Sequence, residues 1–478
     1  MDEIVFYNSC GDPSDKQYST SFGYLSSIHT SNQYSQYRQC YSNINASCLT
    51  GIGQGEKLIV ACKGKALVHV YLYGKESPEQ KIPVPEELTT LEICKDPINS
   101  NKSWLLIGGG VSGRLYVWEL SSGLLLTVKE AHYQSVSVIK YSKGFLVSGG
   151  LDSRVVVWKI LDLISSSNDY EDNNKKVIKP YCIITDNSLP ITDLIITGGL
   201  ITDLKLYTCS KDSTIRCYEL ISKQLISTFV APFPVDSIAC DPAYRSLYVG
   251  LSNGTIRMIP LYQTSTKTKI LEHVGGNGKI ITLKNDFELN ETFISHQQNL
   301  NDGEECNITQ LQVGFDGTTL ISGDSKGRLF ISDIITKQTN KRLKNLVGSI
   351  SCLKLFKIEL NSIKLSKNNN DKNIIRTIPV LKRVLVESTD LKKHEILIKL
   401  QGGNNNQIDS FENGNDFDMN SFLNQVQNEE KWFINYSNVD STVNNKNNDN
   451  NNDDIIQLKE QLKKIQDENA ELKAKVNK

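Results

Sequence analysis

The chain has 478 residues, with 53 Lys+Arg against 54 Asp+Glu and a formal net charge of −1. That balance excludes a global basic footprint for nucleic acid, and no apolar run reaches the ~18–20 residues a membrane helix needs. Eleven scattered cysteines without a Cys-x-x-Cys pair read as reduced, buried thiols, not as a disulfide framework or zinc site, and the six histidines show no ligand spacing. The acidic start Met1-Asp2-Glu3-Ile4 lacks the pattern of a signal peptide.

In chain order, "EIVFYNSC" and "SFGYLSSIH" read as strands. A repeated unit follows: an apolar run, a Gly/Asp/Asn/Ser turn, then a β-branched and aromatic run, which is a hairpin signature. Copies begin at Leu58, Leu106, Leu146, Leu206, Leu247 and Leu320, and their closing positions are Tyr71, Trp118, Trp158, Tyr218, Ile259 and Ser332. The steps Trp118–Trp158 and Tyr218–Ile259 fit the ~40–45-residue period of a four-stranded propeller blade. Longer steps hold polar insertions near 161–180 and 263–307, with another near 362–376. Near the end of this region "GSISCLKLF" (348–356) and "IPVLKRVLV" (378–386) again read as strands. The expectation is an all-β, seven-bladed β-propeller over 1–400, whose closing blade takes strands from both chain ends and so removes the open sheet edge.

Residues 401–453 form an Asn- and Asp-rich linker too poor in apolar residues to fold. Within it "EEKWFINY" (429–436) is either a docking motif or an inert apolar scrap. In 454–478, Ile455, Leu458, Leu462, Ile465, Asn469, Leu472 and Val476 follow a heptad seam, with Asp454 and Glu468 at g and Lys459 and Lys473 at e. One Asn at an a position and attractive g–e pairs suit a parallel two-stranded coiled coil, hence a homodimer. The alternative is a single amphipathic helix packed on the propeller or a partner.

The copy at Leu146, read from "AHYQSVSVIKYSKGFLVSGGLDSRVVVW", holds His132, Ser148, Asp152 and Trp158 in that order. These residue types also make a Ser-His-Asp triad, but Ser148 lies in an apolar strand without the strained Gly-x-Ser-x-Gly elbow. No Walker loop, zinc pattern or paired-carboxylate motif appears, and Gly108–Gly110 reads as a blade turn. The sequence thus offers no catalytic, cofactor or metal residues. Lys382, Arg383, Lys392 and Lys393 form a loose basic cluster, which is either a direct RNA contact or a solvated strand edge.

The His…Ser…Asp…Trp order resembles the WD40 repeat. The resemblance implies that Asp152 accepts from His132, His132 meets Ser148, and Ser148 meets the Trp158 indole. Four stretches, "GRLYVWELSSGLLL" (113–126), "HYQSVSVIKY" (132–141), "LPITDLIITG" (189–198) and "TCSKDSTIRCYELISKQLI" (208–226), are similar to the family of WD repeat-containing protein 18 and its fungal counterparts. That resemblance implies a non-enzymatic scaffold in the nucleus (nucleolus and nucleoplasm), within a complex containing helical-repeat scaffold subunits. Such a complex acts on the pre-60S particle, supports second internal transcribed spacer processing and engages an AAA ATPase remodeller. The alternative is a generic WD40 adaptor in ubiquitin-ligase substrate reception, trafficking or replication licensing.

Overall fold

The computed structural model describes residues 2–358, apart from positions 13, 16, 54–55, 96–102, 166–178, 265–268, 270, 277, 284–291 and 298–305, together with residues 378–385. The insertion near 362–376, Lys392 and Lys393, "EEKWFINY", the 401–453 linker and the heptad seam Ile455–Val476 lie outside the described residues.

Six four-stranded antiparallel sheets and one five-stranded sheet, whose fifth strand is parallel, are arranged as blades around an axis. Blade 1 starts at Ser47–Leu49, blade 2 at Leu88–Lys95, blade 3 at Val136–Ser142, blade 4 at Ile191–Ile196, blade 5 at Val235–Cys240 and blade 6 at Ile308–Val313, each with this strand innermost. Blade 7 takes its inner strand, Ile350–Ile358, from the far end of the repeat region. Its three outer strands are Asp2–Ser9, Phe22–Ser27 and Gln33–Arg38. Seven apolar clusters occupy the seven blade–blade interfaces; the last joins Ile4, Phe6 and Leu25 of blade 7 to Leu58, Val60 and Tyr71 of blade 1. No blade can bury both faces alone, so the ring is the unit of stability.

The repeat chemistry explains the interlock. A Cβ at Gly109 would sit 2.7 Å from Val136 of blade 3, and one at Gly149 would sit 2.7 Å from Ile191 of blade 4. Gly250 and Gly323 receive Ile308 and Ile350 in the same way. Each glycine is therefore a socket for the first β-branched residue of the next inner strand. The residue beside that knob often adds a hydroxyl staple: Thr89 Oγ1 donates to Val136 O at 2.6 Å, Thr192 Oγ1 to Val235 O at 2.8 Å and Thr309 Oγ1 to Ile350 O at 2.8 Å.

Three sequence expectations need correction. Gly108–Gly110 ends the strand Ser103–Gly110 and is not a turn, because its glycines meet Leu88, Trp118 and Val136. The 263–307 stretch is not only an exposed loop: Lys279–Thr282 pairs in parallel with Gln224–Val230 at the edge of blade 4, and Thr292–Phe293 is the outer strand of blade 5. The described part of the 378–386 stretch contributes no strand to the closing blade. Residues 378–385 lie against blades 1 and 2, burying Ile378 and Leu381 beside Val84, Leu88 and Leu120. The Lys382 amide donates to Gly123 O at 2.8 Å, and Leu385 bridges to Leu125. Trp118 in blade 2 selects this placement, since its indole N–H donates to Lys382 O at 2.9 Å. All eleven cysteines are free, eight of them buried.

At the seam of the closing blade a polar knot is buried. Asn8 Nδ2 donates to Ser47 Oγ at 2.9 Å and Ser42 Oγ at 3.1 Å, Ser351 Oγ donates to Asn8 Oδ1 at 2.8 Å, and Ser42 and Ser351 lie 2.9 Å apart. Replacing Asn8 by Ala strands buried hydroxyls, so Asn8→Ala lowers the unfolding free energy by about 2 kcal/mol. Denaturant titration measures this, and exposed Asn32→Ala serves as the control, with a change within about 0.5 kcal/mol.

Candidate functional site

In blade 3 the turn after Phe145–Gly150 reverses the chain into Val155–Lys159, with Ser153 in the left-handed region at φ 62°. Asp152 organises the turn. Its Oδ1 lies 3.0 Å from His132 Nδ1, and its Oδ2 accepts the Tyr133 amide at 3.0 Å. On the other side of the ring, His132 Nε2 lies 2.9 Å from Ser148 Oγ. Burial pushes the His132 pKa down, and Asp152 offsets only part of that. The ring is therefore neutral near pH 7, with Nδ1–H donating to Asp152 and Nε2 accepting from Ser148. Gly150 makes room for the pair, since a Cβ there would lie 2.5 Å from His132 Nδ1.

Trp158 does not join the chain of bonds. Its ring packs with Leu146 and Val156, but Nε1 has no hydrogen-bond partner among the described residues, and Ser148 Oγ lies 3.4 Å from Val156 O. The implied quartet is a trio in this structure. Ser148 is 0% exposed, so no substrate carbonyl reaches its Oγ and the trio cannot act as an acylating triad.

Blade 6 holds a second trio that sequence reading missed. His296 Nδ1 lies 3.0 Å from Asp324 Oδ2, and Nε2 lies 2.8 Å from Ser322 Oγ. Here the acid has moved. Ser322-Gly323-Asp324 aligns with Ser148-Gly149-Gly150, so Asp324 occupies the place where blade 3 must have glycine. Arg328 Nε donates to Asp324 Oδ2 at 2.7 Å. Burial alone would raise the Asp324 carboxyl, but the His296 and Arg328 donors overcome it and hold it at about 2. His296 escaped notice because it lies inside the 263–307 insertion, 26 residues before Ser322, whereas His132 lies 16 before Ser148. The available signal was a histidine upstream of Ser-Gly-Asp.

His296, Cys306 and Asp324 also place their ligand atoms within 4.8 Å of one another. Arg328 already supplies the cation there, with Nη2 3.3 Å from Cys306 Sγ, and burial raises the Cys306 thiol. Both facts oppose a divalent ion.

Blade 4 improvises further. Ser188 Oγ replaces histidine on Asp212 at 3.1 Å, and Tyr218 Oη donates to Asp186 at 2.9 Å, leaving Thr208 Oγ1 unpartnered among the described residues.

The braced loops present something to solvent. In each blade the loop entering the inner strand and the turn between second and third strands emerge on one face. There Tyr133 is 79% exposed, with the Arg154 guanidinium 4.4 Å from its ring centroid. Leu151, Val111 and Leu189 stand exposed on the same face of blades 2 to 4. A fixed Tyr–Arg pair on a face that also carries exposed apolar side chains has the composition of a protein-binding hot spot.

Buried neutral histidines set the acid response. Burial lowers His132 and His296, and takes His69 to about 4. Unfolded imidazoles titrate near 6.5. Below that pH the unfolded chain binds protons that the native chain refuses, so stability falls as pH drops from ~6.5 toward the folded values. Denaturation midpoints measured between pH ~7.5 and ~5 will fall, and His69→Phe will flatten the slope. At pH ~7.5, His132→Ala will cost about 2–3 kcal/mol by stranding Asp152 and Ser148.

No protein-family model matches the chain. Curated relatives do match it. The Pre-rRNA-processing protein IPI3 of Candida albicans is 42% identical over 502 residues, covering 99% of this chain and 97% of the relative. The protein of the same name from Scheffersomyces stipitis is 42% identical, covering 93% of this chain and 91% of the relative. That of Saccharomyces cerevisiae is 31% identical over 93% of this chain and 90% of the relative. Similarity this high, running through the propeller and beyond it, means that the chain belongs to the Pre-rRNA-processing protein IPI3 family.

Proposed function

We propose that the chain is a scaffold subunit that works in pre-rRNA processing and maturation of the large ribosomal subunit, without chemistry of its own. The observation that carries this reading is the 42% identity, over 99% of the chain, to a relative named for pre-rRNA processing. The fold supports it: the His-Asp-Ser trios are closed to substrate, and the exposed Tyr133–Arg154 face suits a protein partner.

On this reading the protein is nuclear, in nucleolus and nucleoplasm. Its partners are helical-repeat subunits of one complex, the pre-60S particle and its AAA ATPase remodeller. The complex supports processing of the second internal transcribed spacer. The propeller occupies 1–400, an unstructured linker 401–453, and a coiled-coil helix 454–478 pairs two copies through Ile455, Leu458, Leu462, Ile465, Asn469, Leu472 and Val476.

Depletion will accumulate spacer-extended precursor of the large-subunit RNA, and the full chain will rescue it. Normal precursor processing on depletion overturns the reading, as does co-purification with ligase or coat subunits in place of assembly factors. Tyr133→Ala will rescue poorly and lose partners in affinity purification while keeping its denaturation midpoint, the outcome for a hot-spot residue outside the core. Deleting 454–478 will halve the mass in sedimentation; an unchanged mass assigns that helix to packing.

A further inference from the structure

The axial channel opens on the face opposite Tyr133, at the ends of the inner strands. Its mouth is a cavity of about 240 Å³ that receives Glu92 and Lys95 from blade 2, Lys140 from blade 3, and Lys354, Leu355 and Phe356 from blade 7. Lys354 Nζ reaches over blade 1 to Glu92 Oε2 at 3.2 Å, so these two charges are matched. No carboxylate among the described residues comes within ion-pair distance of Lys95 or Lys140. Asp193, whose charge Lys140 feels, has both carboxylate oxygens on backbone amides, those of Leu194 at 2.9 Å and Ile238 at 3.2 Å. The lining thus carries three lysines against one glutamate. Beside them Leu355 and Phe356 are half-buried, Leu355 packed against the blade 6–7 core and Phe356 against the blade 7–1 core, and both line the mouth.

Recessed positive charge within low-dielectric walls focuses its field on a small anion at the mouth. Nucleic acid asks for a different surface, an open row of cations tracking successive phosphates. Two lysines without an ion-pair partner among the described residues, Lys140 half-buried in the lining and Lys95 exposed beside it, next to apolar side chains, fit a carboxylate carried on a peptide.

We propose that the channel mouth is a docking pocket for an acidic peptide segment of a partner protein. One carboxylate enters between Lys95 and Lys140, and a neighbouring apolar side chain covers Leu355 and Phe356. This site is independent of the rRNA reading and is tested without any ribosomal component.

The test is fluorescence anisotropy on the full chain, with a short labelled peptide alternating Glu and Leu and its Gln/Leu counterpart. The Glu peptide is expected to bind about tenfold more tightly than the Gln peptide, the scale of a charge-assisted hydrogen bond. Lys140→Gln and Lys95→Gln each remove most of that preference, while Lys211→Gln on the opposite face leaves it intact. Lys95 is exposed, so its variant keeps the test valid if Lys140→Gln misfolds. Equal binding of the two peptides overturns the proposal, and so does an equal loss with Lys211→Gln. A labelled uridine oligonucleotide that binds more tightly than the Glu peptide and loses that binding with Lys140→Gln gives the pocket to nucleic acid and overturns it as well.

Discussion

The fold rests on one pairing: Asp2–Ser9 against Ile350–Ile358, antiparallel from Asp2↔Ile358 to Ser9↔Ile350. Every other blade is built from segments near one another in sequence, blade 4 adding the edge strand Lys279–Thr282 from beyond the first three strands of blade 5. Blade 7 alone joins segments more than three hundred residues apart, and until it forms, blades 1 and 6 each show a bare face. Loop-closure entropy grows slowly with length, so a long closure is affordable once both faces of the seam are apolar. The buried Asn8 knot then fixes register. A slip by one residue would carry Ile4 and Phe6 from the blade 1 interface to the blade 6 interface and leave Ser42, Ser47 and Ser351 without Asn8.

Between blades the same economy recurs in smaller form. A β-branched knob enters a glycine socket, and the adjacent hydroxyl bonds the next blade's first inner carbonyl. This couples blade spacing to backbone geometry, because a Cβ in the socket has nowhere to go. It also explains why the tetrad can decay. Blade 2 satisfies its tryptophan with a backbone carbonyl, blade 4 substitutes a serine hydroxyl, and blade 6 moves its aspartate two positions and adds Arg328. What persists is the tendency for a buried polar group to find a partner; among the described residues Trp158 Nε1 and Thr208 Oγ1 do not.

The hairpin units, their period and the closing blade were legible because strand alternation and turn chemistry are local signals. The order His132, Ser148, Asp152 was legible for the same reason. Local signals fail where partners are distant. Nothing in "IPVLKRVLV" says that Lys382 O caps an indole 264 residues earlier. An apolar run of that kind is equally a strand of a sheet or a strap over one. His296 was hidden by a polar insertion, and the parallel strand Lys279–Thr282 by the default reading of insertions as loops. Trp158 failed because the order of residue types in a motif does not encode where an indole N–H points.

The two faces of the ring differ in what they offer. One carries Tyr133 and its apolar neighbours on loops held by Asp152; the other carries the channel mouth. Inner strands run from the first face to the second, so the closing strand delivers the chain to the mouth side, and Lys382 meets Gly123 near that same rim. Association costs conformational entropy for every loop it must order. A turn whose aspartate already holds the Tyr133 amide and the His132 ring has met that cost during folding. On the scaffold reading the polar trio would act on binding through preorganisation, since it fixes the loop that carries Tyr133, 79% exposed on that face.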